Sequence, residues 1–267
     1  MHKDETLLPN EADSILGTVT KRIQHIDRDG QRLWVKTIKH SKKRMGHRVQ
    51  KLLAKLIPLR MLRVTVNEGG LSALKSEISR LDSFRQNGIH APHVLYHTDT
   101  QIIMTDAGIV LQDVLDGETD EKKRHELLAR AARILAEIHQ KHLFHGRPYM
   151  KDFIYDRKTK TLGFIDLEED PLQVMSAEEA QACDVWVFLA GVSSYVPNGS
   201  DGLLSYYEIY RSQAPEGFEK PLREFVQLLH PITRFMAKIF GDRLGRDVTK
   251  ATRATSTLQL YFESKTT

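Results

Sequence analysis

The stretch His145–Asp170, HGRPYMKDFIYDRKTKTLGFIDLEED, constrains this chain more than any other. Two carboxylates in it each adjoin a short apolar run. Asp152 precedes Phe153-Ile154-Tyr155, and Asp166 follows Leu162-Gly163-Phe164-Ile165. The polar residues Asp156–Thr161 between the runs read as a hairpin turn, so the stretch predicts a loop, two paired strands and a second loop. Such loops hold side chains still, and two carboxylates on adjacent loops suit a hard divalent cation that takes oxygen ligands. Each aspartate alone also fits an ordinary turn or strand end.

The preceding segment adds to this. A run rich in Lys, Arg, Leu and Ala follows Asp120-Glu121, with Leu127, Leu128, Ala131, Ile134, Leu135 and Ile138 on one broad face. It predicts a helix that delivers the chain into Phe144-His145-Gly146. Beyond Asp166, Glu168-Glu169-Asp170 is either a further source of metal ligands or a solvated turn. Ser176 with Glu179 forms a capping box. It opens a helix that carries Asp184-Val185-Trp186. Tyr206, Tyr207 and Tyr210 start another helical segment, Leu222–Phe240 is amphipathic with a kink expected at Pro231, and Lys250–Thr267 reads as a mixed helix and frayed tail.

The first hundred residues have a different character. Leu16–Ile26 and Gln31–Lys39 are strand-like around the turn sequence Asp27-Arg28-Asp29-Gly30. On the second strand Lys36 shares a face with Trp34 and Ile38, while Leu33, Val35 and Thr37 point the other way. Lys39 is the competing lysine and lies off that face. A helix over 71–86 places Leu74, Ile78, Leu81 and Phe84 on its apolar side, with Glu77 among them. A carboxylate there needs a partner. Gln101–Asp106 predicts a strand that ends in a connection at Thr105-Asp106-Ala107.

Ser41–Arg63 carries eight cations (Lys42, Lys43, Arg44, Arg48, Lys51, Lys55, Arg60 and Arg63) and no acidic residue. Val49, Leu52, Leu53, Leu56 and Ile57 recur at helical spacing up to Pro58, which predicts a basic amphipathic helix. It can pack on its own lobe, lie on an anionic membrane surface or meet nucleic-acid phosphates. The lack of interleaved aromatic residues disfavours nucleic acid. The whole chain has a formal net charge of +4 and a pI near 9.0. A single cysteine, Cys183, leaves no internal disulfide and suits a reducing compartment. Neither a signal-like apolar core at Met1-His2-Lys3-Asp4-Glu5 nor an apolar run near the bilayer-spanning length is present, so a cytoplasmic protein is expected, peripheral at the inner membrane if the basic stretch docks there.

Lys36, Glu77, His145, Asp152, Asp166 and Asp184 occur in the order of the protein-kinase-like superfamily. The basic insertion after Lys36 and the passage Glu77…Gly88-Ile89…Pro92 resemble the bacterial lipopolysaccharide kinase family, which phosphorylates inner-core sugars. The resemblance implies an α+β, bilobal kinase-like fold. Residues 1–106 would form a β-rich N-lobe bearing the insertion 41–63 and the helix 71–86, and 107–267 a helical C-lobe. It also implies ATP and magnesium, and a sugar-lipid or other hydroxyl acceptor. Lys36 would hold the phosphates, paired by Glu77. Met104, which equally fits plain core, and Asp106 would lie near the base, and Asp152 and Asp166 would ligate the metal. His145 would stand at the catalytic-loop histidine and Asp184 would brace that loop.

Three positions depart from the pattern. No glycine-rich loop precedes Lys36, with only Gly17 before Thr18-Val19-Thr20. Asp152 replaces the loop asparagine, and Arg147 replaces the catalytic aspartate. Arginine stays cationic and cannot accept a proton. In an active enzyme Asp152 must then act as base, or Arg147 must stabilise the transferring phosphoryl group. In a nucleotide-binding pseudoenzyme Arg147 would instead pair with Asp166 or a phosphate. The third reading is a basic membrane- or RNA-associated module that binds no nucleotide.

Overall fold

The computed structural model describes residues 6–38, 70–197, 200–240 and 245–265. Lys39 and the basic stretch 41–63 lie outside the described residues. The described residues up to Ile109, together with Ile154–Asp170, form one compact unit. Val110–Phe153, with the described residues from Pro171 onward, form another.

The first unit is built on an antiparallel sheet of β1 (Ile23–Arg28), β2 (Gln31–Thr37), β3 (Val94–His97) and β4 (Gln101–Thr105), in the order β1-β2-β4-β3. Asp29 and Gly30 join β1 to β2 with φ of 51° and 76°. This is the doubly left-handed turn that matches strand twist, and a glycine at its second place removes the steric cost. Alternation then sends Leu33 and Val35 to one face and Trp34 and Lys36 to the other. Leu33, Val35 and Ile103 pack with Ala12 and Ile15 of helix α1 (Pro9–Leu16).

That helix corrects the strand expected over Leu16–Ile26: Leu16 ends α1, and β1 begins only at Ile23. Pro9 sits at the first helical turn, and Glu11 accepts a hydrogen bond from the Leu8 N–H at 3.1 Å. These helix-start features outweigh the β-branched run further on.

Helix α2 (Leu71–Gln86) also belongs to this unit and buries Leu74, Glu77, Leu81 and Phe84. Phe84 meets Phe164 edge-on, with ring centres 5.9 Å apart. Phe164 lies at the end of β7 (Thr161–Phe164), which pairs with β6 (Phe153–Asp156) in a sheet ordered β5-β6-β7, where β5 is Ile109–Val110. A further bridge ties Gly163 to His90, whose carbonyl accepts from the Phe164 N–H at 3.0 Å. A Cβ at Gly163 would lie 2.0 Å from that carbonyl oxygen, so the close approach admits only glycine.

The second unit is helical: α3 (Leu111–Gly117), α4 (Glu121–Gln140), α5 (Ala177–Val192), α6 (Ser200–Arg211), α7 (Glu219–Phe240) and α8 (Arg246–Ser264). Asp120 caps α4 by accepting from the Lys122 N–H, and Ser176 with Glu179 forms the capping box of α5. Helix α5 is apolar nearly all round and runs through the core, as a helix buried on every side must. Pro231 is accommodated inside α7, which runs unbroken from Glu219 to Phe240.

The chain is therefore an α+β protein whose elements run in the order of a strand bearing a lysine, a helix bearing a glutamate, then a loop, a hairpin and a second aspartate.

Candidate functional site

In the first unit four ionic side chains converge. Lys36 is 7 % exposed and Glu77 3 %. The Lys36 ammonium lies 2.7 Å from Glu77 Oε1, 2.9 Å from Asp166 Oδ1 and 2.6 Å from Glu168 Oε1. Burial alone would lower the Lys36 pKa, but the three carboxylates more than offset it and hold the ammonium above its ordinary value. Burial pushes the Glu77 carboxyl up, against the downward pull of Lys36. A buried carboxylate in this position is stable only with its cation in place.

Each member is positioned by its element. Lys36 projects from the face of β2 opposite the α1 core. Glu77 is on the buried side of α2. One turn further along α2, the Arg80 guanidinium donates to the Leu167 carbonyl at 2.7 Å and to the Glu169 carbonyl. It thereby fixes the backbone that carries Asp166 and Glu168. Asp166 has φ of 63°, a left-handed conformation that aspartate tolerates better than most residues. Leu167 between the two carboxylates is fully buried.

Sequence reasoning left Glu168 open between ligand and solvated turn. The signal available was Leu167, an apolar residue between two carboxylates, whose burial keeps its neighbours against the protein rather than in a solvated turn. The side chains of Asp166 and Glu168 remain partly exposed, at 43 % and 33 %. Carboxylate oxygens of Glu77, Asp166 and Glu168 all lie within 4.8 Å of one another. This hard-oxygen set suits a divalent cation such as magnesium.

Met104 and Asp106 fall at the other end of the same sheet face. Met104 pairs with Trp34 across β2 and β4. The Asp106 carboxylate accepts from the Trp34 indole N–H at 3.2 Å and from the Gly108 N–H at 3.3 Å.

The second unit holds His145, Arg147 and Asp152. Asp184, on α5 and fully buried, accepts from the His145 N–H at 2.7 Å and the Gly146 N–H at 2.9 Å. The loop is thus anchored by its backbone. His139 at the end of α4 lies 3.3 Å from Asp184 through Nε2 and 2.7 Å from the Tyr210 hydroxyl through Nδ1. Neither His139 nor Tyr210 belongs to a motif in the sequence, although His139 falls four residues after Leu135 on the apolar face of α4. Asp152 is buried, and one of its oxygens accepts from the Tyr149 N–H at 3.1 Å. The Arg147 N–H donates to His145 Nδ1 at 3.3 Å, and its exposed guanidinium lies 5.8 Å from the centre of the Tyr149 ring.

No family model matches the chain. A Haemophilus influenzae protein described as uncharacterized is 28% identical over 97 residues, which is 36% of this chain and 39% of that protein. The chain thus spans about two fifths of the length of the curated relative it matches. Among solved structures, the bifunctional kinase-methyltransferase WbdD aligns at 15% identity and a TM-score of 0.43, over 73% of this chain and 44% of its own. The Cydia pomonella granulovirus kinase PK-1 aligns at 13% identity and a TM-score of 0.40, over 95% of this chain and 94% of its own.

Proposed function

We propose that this chain is an ATP- and magnesium-dependent phosphotransferase that acts on a hydroxyl acceptor, with a lipopolysaccharide-core sugar as the first acceptor class to test. The contact of Lys36 with Glu77 at 2.7 Å and Asp166 at 2.9 Å carries this reading. Such a lysine, held by a helix glutamate and set beside a loop aspartate, can grip nucleotide phosphates at a fixed point. Asp166 and Glu168 would hold magnesium, which supplies neutralisation of phosphate charge. Glu77 orients the ammonium. In the second unit, the loop anchored by Asp184 presents Asp152 and Arg147. Asp152 is the carboxylate of that loop able to take a hydroxyl proton, and Arg147 would stabilise charge on the transferring phosphoryl group. His145 holds the loop in shape.

One observation favours a second reading. Arg147 stands where the catalytic aspartate is expected, which suits a kinase-like pseudoenzyme that binds nucleotide and regulates a partner. Both readings require a nucleotide site. Thermal melting with and without Mg-ATP tests it, since a ligand at 100 times its dissociation constant adds about 2.7 kcal/mol. The expected result is a magnesium-dependent rise in Tm that Asp166→Ala abolishes. No rise at millimolar Mg-ATP would overturn both readings. Acceptor-dependent ADP release then separates enzyme from pseudoenzyme. Docking on an anionic inner-membrane surface through 41–63 is part of the same proposal.

A further inference from the structure

The face of β2 that carries Lys36 also carries Trp34, and the structure gives that indole a defined setting. Trp34 lies two residues before Lys36, about 6.7 Å along the strand at some 3.3–3.4 Å per residue. Its ring is half-buried rather than sunk in the core that Leu33 and Val35 share with α1. Three neighbours fix its plane. The indole N–H donates to Asp106 at 3.2 Å. His25 on β1 meets it edge-on, with ring centres 5.4 Å apart and planes at 63°. Met104 is its cross-strand partner on β4. Asp106 is itself steadied by the Gly108 N–H. A tryptophan tethered at its polar edge keeps its ring plane while leaving aromatic surface for a ligand.

A nucleotide whose phosphates rest on Lys36 can extend its base along this sheet face, which Lys36 shares with Trp34. Toward Trp34 the face offers a flat, immobilised ring flanked by Met104. We propose that the Trp34 indole is the platform on which the base of a nucleoside triphosphate stacks, with Asp106 as the residue that positions the indole rather than one that touches the base. The proposal rests on the nucleotide site argued above and adds the group that distinguishes a nucleotide from a bare polyphosphate.

The test compares Mg-ATP with Mg-tripolyphosphate on the full chain, using wild type, Trp34→Leu and Trp34→Phe, with affinities read by calorimetry. Trp34→Leu is expected to weaken Mg-ATP by about tenfold or more, the worth of one base–aromatic stack, and to leave Mg-tripolyphosphate unchanged. Trp34→Phe keeps an aromatic face and should restore most of the ATP affinity. A second readout does not depend on the leucine variant folding. ATP should quench tryptophan emission in wild type, and the quench should vanish in Trp34→Phe. The remaining tryptophan, Trp186, is hydrogen-bonded to Thr255 in the second unit. Equal or tighter ATP binding by Trp34→Leu overturns the proposal, because the indole would then fill the base site rather than serve it. Wild type that binds tripolyphosphate as tightly as ATP overturns the stack but leaves the Lys36 phosphate site standing. Wild type that binds neither ligand overturns both.

Discussion

Lys36 is outnumbered by carboxylates, and its charge sets how this cluster responds to pH. The folded-state pKa of Lys36 is raised above its ordinary 10.5, so its contribution to stability is fully present below that value and is lost only as pH rises through the folded pKa. Between pH 5 and 8 Lys36 itself is therefore constant. Removing it changes the carboxylates instead. In Lys36→Met, Glu77 stays buried but loses the cation that opposed its burial, so it holds its proton more tightly when folded than when unfolded. The stability lost should thus be greater at pH 8 than at pH 5. A loss of about 3 kcal/mol is expected at pH 8, because a buried partner is left uncompensated. Melting curves of both proteins at the two pH values check this, and an equal loss at both would show that the carboxylates are not coupled through Lys36. At this scale the sequence was informative where one residue stood out from its surroundings. Lys36 on an alternating strand, Glu77 inside an apolar stripe and Asp166 after an apolar run were each visible. Glu168 was ambiguous because Glu168-Glu169-Asp170 has the composition of a solvated turn, and only the fold separates its members.

Elements place these side chains, and two contacts show how closely. Strand β7 delivers Asp166, and its position depends on the approach of Gly163 to the His90 carbonyl. Gly163→Ala puts a methyl group into backbone, which cannot yield as a side chain would. A destabilisation of about 3 kcal/mol or more is expected by urea titration. Gly117→Ala is the control: nothing lies within 4 Å of a Cβ there, and the change should be near neutral. Helix α5 plays the matching part in the second unit. Asp184→Ala strips acceptors from the His145 and Gly146 N–H groups and from His139, all close to buried surface. A loss of about 3 kcal/mol is expected, with the His145 and Gly146 amides losing hydrogen-exchange protection before the rest of the unit. Helix positions were legible wherever caps and periodicity agreed, as at Ser176–Glu179 and over 71–86. Helix α1 was not, because the β-branched residues after it suggested strand while its start signals are short and local.

For the whole molecule, the order of elements could be read because lysine, glutamate and the two aspartates keep their sequence across most of the chain. The roles around Arg147 could not, since the hydrogen bonds from the His145 and Gly146 N–H groups to Asp184 shape the loop whatever its side chains do. Charge is the other property of the molecule as a whole. Eight of the chain's 39 cations lie between Ser41 and Arg63, so the remaining 31 face 35 carboxylates and the rest of the chain is net negative by four. The basic character implied by a pI near 9.0 is thus confined to one short stretch. The net excess of cations that would draw the chain to an anionic surface lies in that stretch, since the remainder is net negative. No helix among the described residues is long and apolar enough to cross a membrane. Docking at an anionic bilayer through the basic stretch would be salt-dependent, at roughly 1 kcal/mol per cation near the headgroups. Co-sedimentation with phosphatidylserine vesicles is expected at low salt, with release as ionic strength shortens the Debye length below about 8 Å. Changing Lys42, Lys43, Arg44 and Arg48 together to glutamine should weaken it by about 4 kcal/mol, close to a thousandfold, while leaving the Mg-ATP melting shift intact. Unchanged sedimentation of that variant would show that the four basic residues do not carry the attachment.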